Sequence, residues 1–334
     1  MIKLTGILFA SFALDFIIGD PYYRFHPVRI IGFGVSFFEK TLRKIGCNGR
    51  WGGIFLVTVI VIFFLALYLL TSLVFYGIYP PLGLCFDIFI CYSCLALKDL
   101  IVHVRDVLRA LEAAELSEAR KKISRVVGRK ATCLDERGIS RAAIETLAEN
   151  FVDGFLSPVC WYVAGAVLAV LSGPFQANMA VGIMFVYKMI NTLDSMVGHR
   201  NEKYLRFGWA GARIDDVMNF IPARLSLFVL FAGTLFSSSH PVKGLKVALR
   251  DRLKHDSPNS AHAESFFAGA LDIRLGGPTA YNDGYHNRPW LGAGSPDPSV
   301  MDIQRAICII RYSGYVTAAL AVASICVTAS LFVK

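Results

Sequence analysis

The chain has 334 residues, of which 55% are apolar and only 18% charged, with a formal net charge of +9. That apolar share exceeds the roughly 45–50% of soluble domains, which excludes an ordinary soluble globule and makes a lipid bilayer the expected solvent. The positive excess does not mark a nucleic-acid binder, because Lys and Arg flank apolar runs instead of forming one basic stripe with interleaved aromatics.

A spanning helix takes about 20 mostly apolar residues. The first candidate is 4–18, where Lys3 before an apolar stretch imitates a signal peptide. No small-residue cleavage site follows, so the mature chain is expected to begin at Met1. After a polar stretch at 19–50 comes 54–79, a run with no charge at all, and then 82–97. The last contains Cys91 and Cys94, a C-x-x-C without a histidine pair or second C-x-x-C nearby, which reads as two small buried hydrophobes and not as a metal or redox site. Polar residues return at 98–150, where Leu108, Leu111, Ala114 and Ile123 recur at helical spacing, so 106–127 is expected to form an amphipathic surface helix. Further spans are expected at 151–171, 179–197 and 307–333, separated by polar stretches at 198–219 and 237–305. Within the latter, 257–298 is rich in Gly, Pro, Asn and Asp and is expected to be turn-dominated.

Nearly all Lys and Arg lie in the four polar stretches, which therefore favour the cytoplasmic side. The weaker segment 220–236 would send the last of them outside if it crossed. It is expected to be re-entrant, with Asn219, Pro222 and Arg224 at its break. The resulting expectation is an all-α, polytopic membrane helical bundle forming a single membrane domain with polar cytoplasmic loops.

Four segments hold residues suited to chemistry. In ISRAAIETLAENFVDG, Ser140 is placed to cap a helix, and Arg141, Glu145, Glu149 and Asp153 then recur every four residues on one face. Such a carboxylate stripe is tolerable when solvated or when a cation such as magnesium neutralises it. The run from Lys188 to Arg224 places Asn191, Asp194 and Ser195 on one helical face, followed by Arg200, Asn201, Glu202, Arg206, Arg213, Asp215, Asp216 and Asn219. Arginine forks match phosphate or carboxylate oxygens, while an interhelical polar seam would use the same residues structurally. GDPYYRFHPVRIIG supplies Asp20, His26 and Arg29. Finally, HDSPNSAHAESFFAGALDIRLGGPTAYNDGYHNRPWLG combines tight-turn residues with His255, Glu264, Arg274, Arg288 and Trp290. No phosphate-binding P-loop, dinucleotide fingerprint or H-E-x-x-H occurs.

At these segments the sequence resembles the adenosylcobinamide-phosphate synthase family, an integral membrane enzyme late in cobalamin biosynthesis. The matching strings are Gly19-Asp20-Pro21 with His26-Pro27-Val28-Arg29, Glu149-Asn150 to Asp153-Gly154, and Asn191-Thr192-Leu193-Asp194-Ser195-Met196. They continue with Arg206-Phe207-Gly208-Trp209 to Asp215-Asp216, Ser257-Pro258-Asn259, Gly269-Ala270 and Arg274-Leu275-Gly276-Gly277-Pro278. Phe151, where a smaller polar residue is expected, and the insertion-like 281–286 depart from the pattern.

The resemblance implies ATP- and magnesium-dependent formation of an amide between a propionate carboxylate of adenosylcobyric acid, a corrinoid, and aminopropanol or its O-phosphate. It implies a multi-pass protein of the inner (cytoplasmic) membrane with its active-site loops in the cytoplasm, working beside other cobalamin-assembly enzymes and binding no nucleic acid. Glu149, Asp153, Asp194, Asp215 and Asp216 are then the candidate catalytic acids, with Glu149, Asp153, Asp194 and Asp216 as magnesium ligands. His26, Arg29, Arg200, Arg206, Arg213 and Arg274 are candidate phosphate or carboxylate clamps, and Asn150, Asn191 and Asn259 orient substrate. Trp209 and Trp290 offer faces for the corrin. A transporter for a corrinoid or phosphorylated solute would also use intramembrane Lys188, Asn191 and Asp194, but no paired repeat is visible.

Overall fold

A computed structural model describes residues 2–21, 23–127, 131–172, 177–199, 201–255, 257–281 and 284–332. In chain order the helices begin with α1 (Ile2–Ile17), α2 (Pro27–Lys44), α3 (Arg50–Ile78), α4 (Pro80–Ser93), α5 (Leu97–Glu112) and α6 (Leu116–Ile123). They continue with α7 (Glu136–Phe151), a π-helical turn at Val152–Leu156, α8 (Ser157–Leu171), α9 (Ala177–Val197), α10 (Trp209–Met218) and α11 (Phe220–Thr234). The chain closes with α12 (Pro241–Asp251), α13 (Ser260–Ala270), strands β1 (Leu275–Tyr281) and β2 (Gly284–Leu291), and α14 (Val300–Phe332).

Four helical stretches, Arg50–Ile78, Glu136–Leu171, Asn178–Val197 and Val300–Phe332, are long and apolar enough to cross a membrane, and α10 with α11 makes a fifth if the pair is one span. The fold is that of an all-α, multi-pass membrane protein, with one antiparallel hairpin among the described residues. Helices α1 and α4 are also apolar but only 16 and 14 residues long. The chain divides into two compact units: residues 1–96, 157–218 and 318–334, and residues 97–156 and 219–317.

In the first unit, α3 and α4 form a tight hairpin. Pro80 and Pro81 end one helix and start the next, as proline at a first helical position allows. Gly83 lies flat against the Tyr76 ring, where an added Cβ would come within 2.5 Å of the ring. Tyr68, Ser72 and Tyr76 recur every four residues along one face of α3, and all three hydroxyls donate to Asp87 of α4, at 2.9, 3.3 and 2.7 Å. Asn178 of α9 donates to Ser72 Oγ at 3.1 Å. Close packing also joins α8 to α9, since a Cβ on Gly165 would sit 2.7 Å from Ala180 Cα.

The second unit packs α5, α6 and α7 with α11, α12, α13 and the hairpin, around fully buried Ile144, Leu147, Phe151, Phe155, Phe266 and Phe267. Phe151, fully buried, stacks on Phe155 at 6.1 Å and so serves the core of this unit.

Three local expectations differ from the structure. The amphipathic stretch 106–127 is two helices, because Ala114 takes φ +56° and ends α5's turn; Leu108, Leu111 and Ile123 are nonetheless buried, as their spacing requires. The cap of α7 is Asp135, whose carboxylate accepts from the Gly138 N–H at 2.8 Å, whereas Ser140 lies inside the helix and donates back to the Glu136 carbonyl. Stretch 257–298 holds an 11-residue helix and a hairpin as well as turns. Here Gly276 and Gly277, at φ +76° and +75°, form a bulge in β1 instead of ending it.

Candidate functional site

The two units each assemble part of the polar inventory. In the first, the loop after α1 brings Asp20 Oδ1 within 2.8 Å of His26 Nε2, and buried His26 precedes Pro27 at the start of α2. Tyr23 packs edge-on to the His26 ring at 5.2 Å, and Tyr92 donates to the Gly19 carbonyl, which pins the turn. Burial, then the charge of Asp20, pushes the Tyr23 phenol above its ordinary pKa. Half-buried Arg29 lies one turn further along α2.

Helix α2 packs on α9 where Gly32 meets Met196 Sδ, 3.5 Å from an added Cβ. Half-buried Asn191 and Asp194 occupy the last two turns of α9, while exposed Ser195 donates back to the Asn191 carbonyl. The chain then folds back tightly. A Cβ on Gly198 would lie 1.9 Å from Asp194 Oδ1, one on Gly208 1.7 Å from the Val197 carbonyl, and one on Gly53 1.8 Å from the Phe207 carbonyl. Gly211 sets α10 against Leu193, and buried Asp215 and half-buried Asp216 follow on the next turn. Glu39 anchors this fold-back from α2. It contacts Arg43 at 2.9 Å, Lys203 at 3.2 Å and the Tyr204 hydroxyl at 3.4 Å, and these partners together outweigh its burial and hold its carboxyl below the usual range. Arg206 and Arg213 are exposed. Arg200 lies outside the described residues.

In the second unit Glu145, buried on α7, accepts the Gly276 N–H at 2.7 Å and lies 3.9 Å from Arg288. The same guanidinium reaches buried Glu264 of α13 at 3.4 Å. This bridge fixes the glycine bulge of β1 to α7, so Glu145 serves the hairpin's placement. The guanidiniums of Arg141 and Arg274 both lie over the Trp290 ring, 4.8 and 5.4 Å from its centroid, and Gly277 leaves room for the ring. One turn beyond Glu145 the stripe becomes accessible: Glu149 and Asn150 are exposed, and half-buried Asp153 sits in the π turn, a distortion common at functional sites. Asn259 is buried at the start of α13 and accepts from Arg224 at 3.3 Å.

The candidate residues therefore fall into two groups. His26, Arg29, Asn191, Arg206, Arg213, Asp194, Asp215 and Asp216 belong to the first unit, and Asn150, Glu149, Asp153, Asn259 and Arg274 to the second. Among the described residues no three His, Cys, Asp or Glu side chains form a ready metal cage. Carboxylates on adjacent helices, as on α9 and α10, instead suit a hard cation that keeps waters and binds with a substrate's phosphate oxygens.

Asp251 does not stand out in the sequence, where it reads as one more charge in a run of surface Arg and Lys; its tie to Gly292, 41 positions away, appears only in the fold. Fully buried at the end of α12, it accepts from Arg250 at 2.8 and 2.7 Å, from Lys254 at 2.7 Å and from the Gly292 N–H at 2.8 Å, joining α12 to the end of β2. The Arg250 bonds, then those from Lys254 and Gly292, overcome burial and hold its carboxyl far below the usual range. A depressed folded pKa means that this stabilisation is complete above the unfolded value near 3.9 and disappears as pH falls below it. Acid titration of thermal stability should show a steep loss below about pH 4 in the native chain and a shallower one in Asp251→Asn. Equal slopes would remove Asp251 as the acid-sensitive tie.

A family model described as CobD/Cbib protein matches residues 8–310. The cobalamin biosynthesis protein CobD of Pelobacter propionicus is 39% identical over 329 residues, covering 97% of this chain and 95% of its own. CobD of Klebsiella pneumoniae is 38% identical over 301 residues, 89% and 90% of the two chains. CbiB of Salmonella typhimurium is 36% identical over 322 residues, 95% and 96%. No solved structure matches.

Proposed function

The chain belongs to the CobD/CbiB protein family and acts in cobalamin biosynthesis, and from that premise we propose that it joins aminopropanol, as its O-phosphate, to a propionate carboxylate of adenosylcobyric acid in an ATP-dependent amide synthesis. The observation that carries this reading is the end of α9. Asn191 and Asp194 sit there with α10 and its Asp215 and Asp216 packed alongside, in the unit that also holds His26 and Arg29.

A carboxylate does not condense with an ammonium unaided. Its oxygen must first become a leaving group, most simply by taking a phosphoryl group from ATP and releasing ADP. The amine nitrogen then bonds to the acyl carbon, phosphate departs with the former carboxylate oxygen, and the surplus proton passes to a base. Arg29, Arg206, Arg213 and Arg274 are suited to holding the anionic oxygens of substrates. One of the acids must accept the proton; Glu149 and Asp153 are the accessible choices in the second unit, Asp194 and Asp216 in the first. Magnesium, held through Asp194 and Asp216 with Glu149 and Asp153 as the alternative pair, would neutralise phosphoryl charge. The enrichment of Lys and Arg in 19–50, 98–150, 198–219 and 237–305 supports a cytoplasmic, substrate-accessible face on the inner membrane.

The test is a product assay. Purified protein in detergent or lipid is incubated with adenosylcobyric acid, aminopropanol phosphate and magnesium ATP, and corrinoids are resolved by mass. A nucleotide-dependent mass gain equal to the phosphorylated amide is expected. Folded protein that yields no product with either form of the amine would overturn the synthase reading and point to uptake assays instead.

A further inference from the structure

Three helices of the second unit converge on polar atoms that the reading above leaves unused. Arg224 lies on α11, Arg252 at the end of α12, and Asn259 and His262 in the first turn of α13. His262 is fully buried, with Nδ1 3.2 Å from the Asn259 carbonyl and with no partner for Nε2 among the described residues. The buried Nε of Arg252 likewise has none. Arg224 donates to the Phe220 carbonyl at 2.6 Å and to Asn259 Oδ1 at 3.3 Å, which draws that amide away from capping α13. Among the described residues, neither guanidinium has a carboxylate within ion-pair distance.

Burial, then the positive charge of Arg224, with Arg252 adding to it, pushes the His262 imidazole down to about 4, so it is neutral at physiological pH. With the Nδ1 proton directed to the Asn259 carbonyl, Nε2 is an acceptor. Leaving a buried acceptor and a buried donor unsatisfied is costly, and two guanidiniums with no carboxylate partner among the described residues, beside a neutral ring, suit an anion that also carries a proton.

We infer that Arg224, Arg252, Asn259 and His262 form a subsite for a phosphate monoester, its anionic oxygens on the guanidiniums and its P–OH donating to His262 Nε2. Within the synthase reading the subsite would hold the phosphate of the amine substrate, and it rests on that reading only for this assignment. A nucleotide could present the same group.

Calorimetric titration of the full-length protein in detergent tests it, with inorganic phosphate, aminopropanol phosphate, unphosphorylated aminopropanol and ATP as separate ligands. Imidazole 15N resonances serve as a second readout. Inorganic phosphate and the amine phosphate should bind and shift the His262 signals, while the unphosphorylated amine does neither. Arg252→Gln should weaken phosphate binding about 10- to 100-fold, Arg252→Lys should retain most of it, and His262→Gln should weaken it less. If phosphate competes with ATP but not with the amine phosphate, the subsite stands and its occupant is the nucleotide. Folded wild-type protein that ignores phosphate, or equal binding in wild type and Arg252→Gln, would overturn the subsite and leave a buried water as the partner of His262. Because phosphate binding is read without turnover, failure of the amide assay leaves this result independent.

Discussion

Replacing Asp194 by alanine is expected to lower amide formation by about 10²- to 10⁴-fold, the range for loss of a positioned acid–base group, while the protein still inserts and folds. The expectation rests on where the carboxylate sits. Asp194 is half-buried in the last turn of α9, beside the fold-back through Gly198 and the packed start of α10. It is not among the buried residues, so its removal should leave thermal stability within a few degrees of wild type. A second variant separates the carboxylate's position from its presence. In Gly198→Ala the new Cβ would meet both Asp194 Oδ1 and the Asp194 carbonyl, at 1.9 and 2.6 Å, so the acid must move. A misplacement of about 1 Å can cost about 10²-fold, and Gly198→Ala should therefore lose activity with Asp194 intact. Near-normal turnover in folded Asp194→Ala would remove the residue from the catalytic list, whatever Gly198→Ala does. Glu149→Ala provides the parallel test on the exposed end of α7.

How far these features were readable from sequence depends on whether the determining contacts are local. The uncharged run within α3 and the Asn191–Asp194 spacing on α9 are periodic, single-element signals, and the structure shows both as helix. The break at Ala114 was invisible because alanine favours helix and nothing nearby advertises a positive φ. The cap of α7 was misplaced by one turn because Ser140 and Asp135 are both good caps and only the backbone hydrogen bond distinguishes them. The hairpin was hidden by Gly276-Gly277-Pro278, which reads as a terminator yet pairs as a bulge once Glu145 holds the Gly276 N–H from 131 positions away. His262 and Arg252 carry no motif of their own. Their interest arises only when α11, α12 and α13 pack together.

Asp87 shows the same limit, and its replacement by alanine is expected to cost about 3 kcal/mol, at roughly 1–3 kcal/mol for each buried donor left without an acceptor. An acid inside an apolar hairpin is by default a functional suspect. Here the carboxylate is fully buried and its two oxygens already accept from Tyr68, Ser72 and Tyr76, so its chemistry is occupied in holding α4 to one face of α3. Alanine removes the shared acceptor and strands the tyrosine hydroxyls, while Ser72 keeps its bond from Asn178. Asp87→Asn keeps one acceptor oxygen and should lose less. The combined replacement Asp87→Leu, Tyr68→Phe, Ser72→Ala, Tyr76→Phe should recover much of the loss, because removing all three donors with their acceptor avoids unsatisfied groups around it. Thermal unfolding in detergent measures all three, and turnover per folded molecule should stay near wild type in Asp87→Asn. An unchanged melting temperature in Asp87→Ala would refute the structural clasp, and a well-folded but inactive Asp87→Asn would show instead that the buried acid takes part in the reaction.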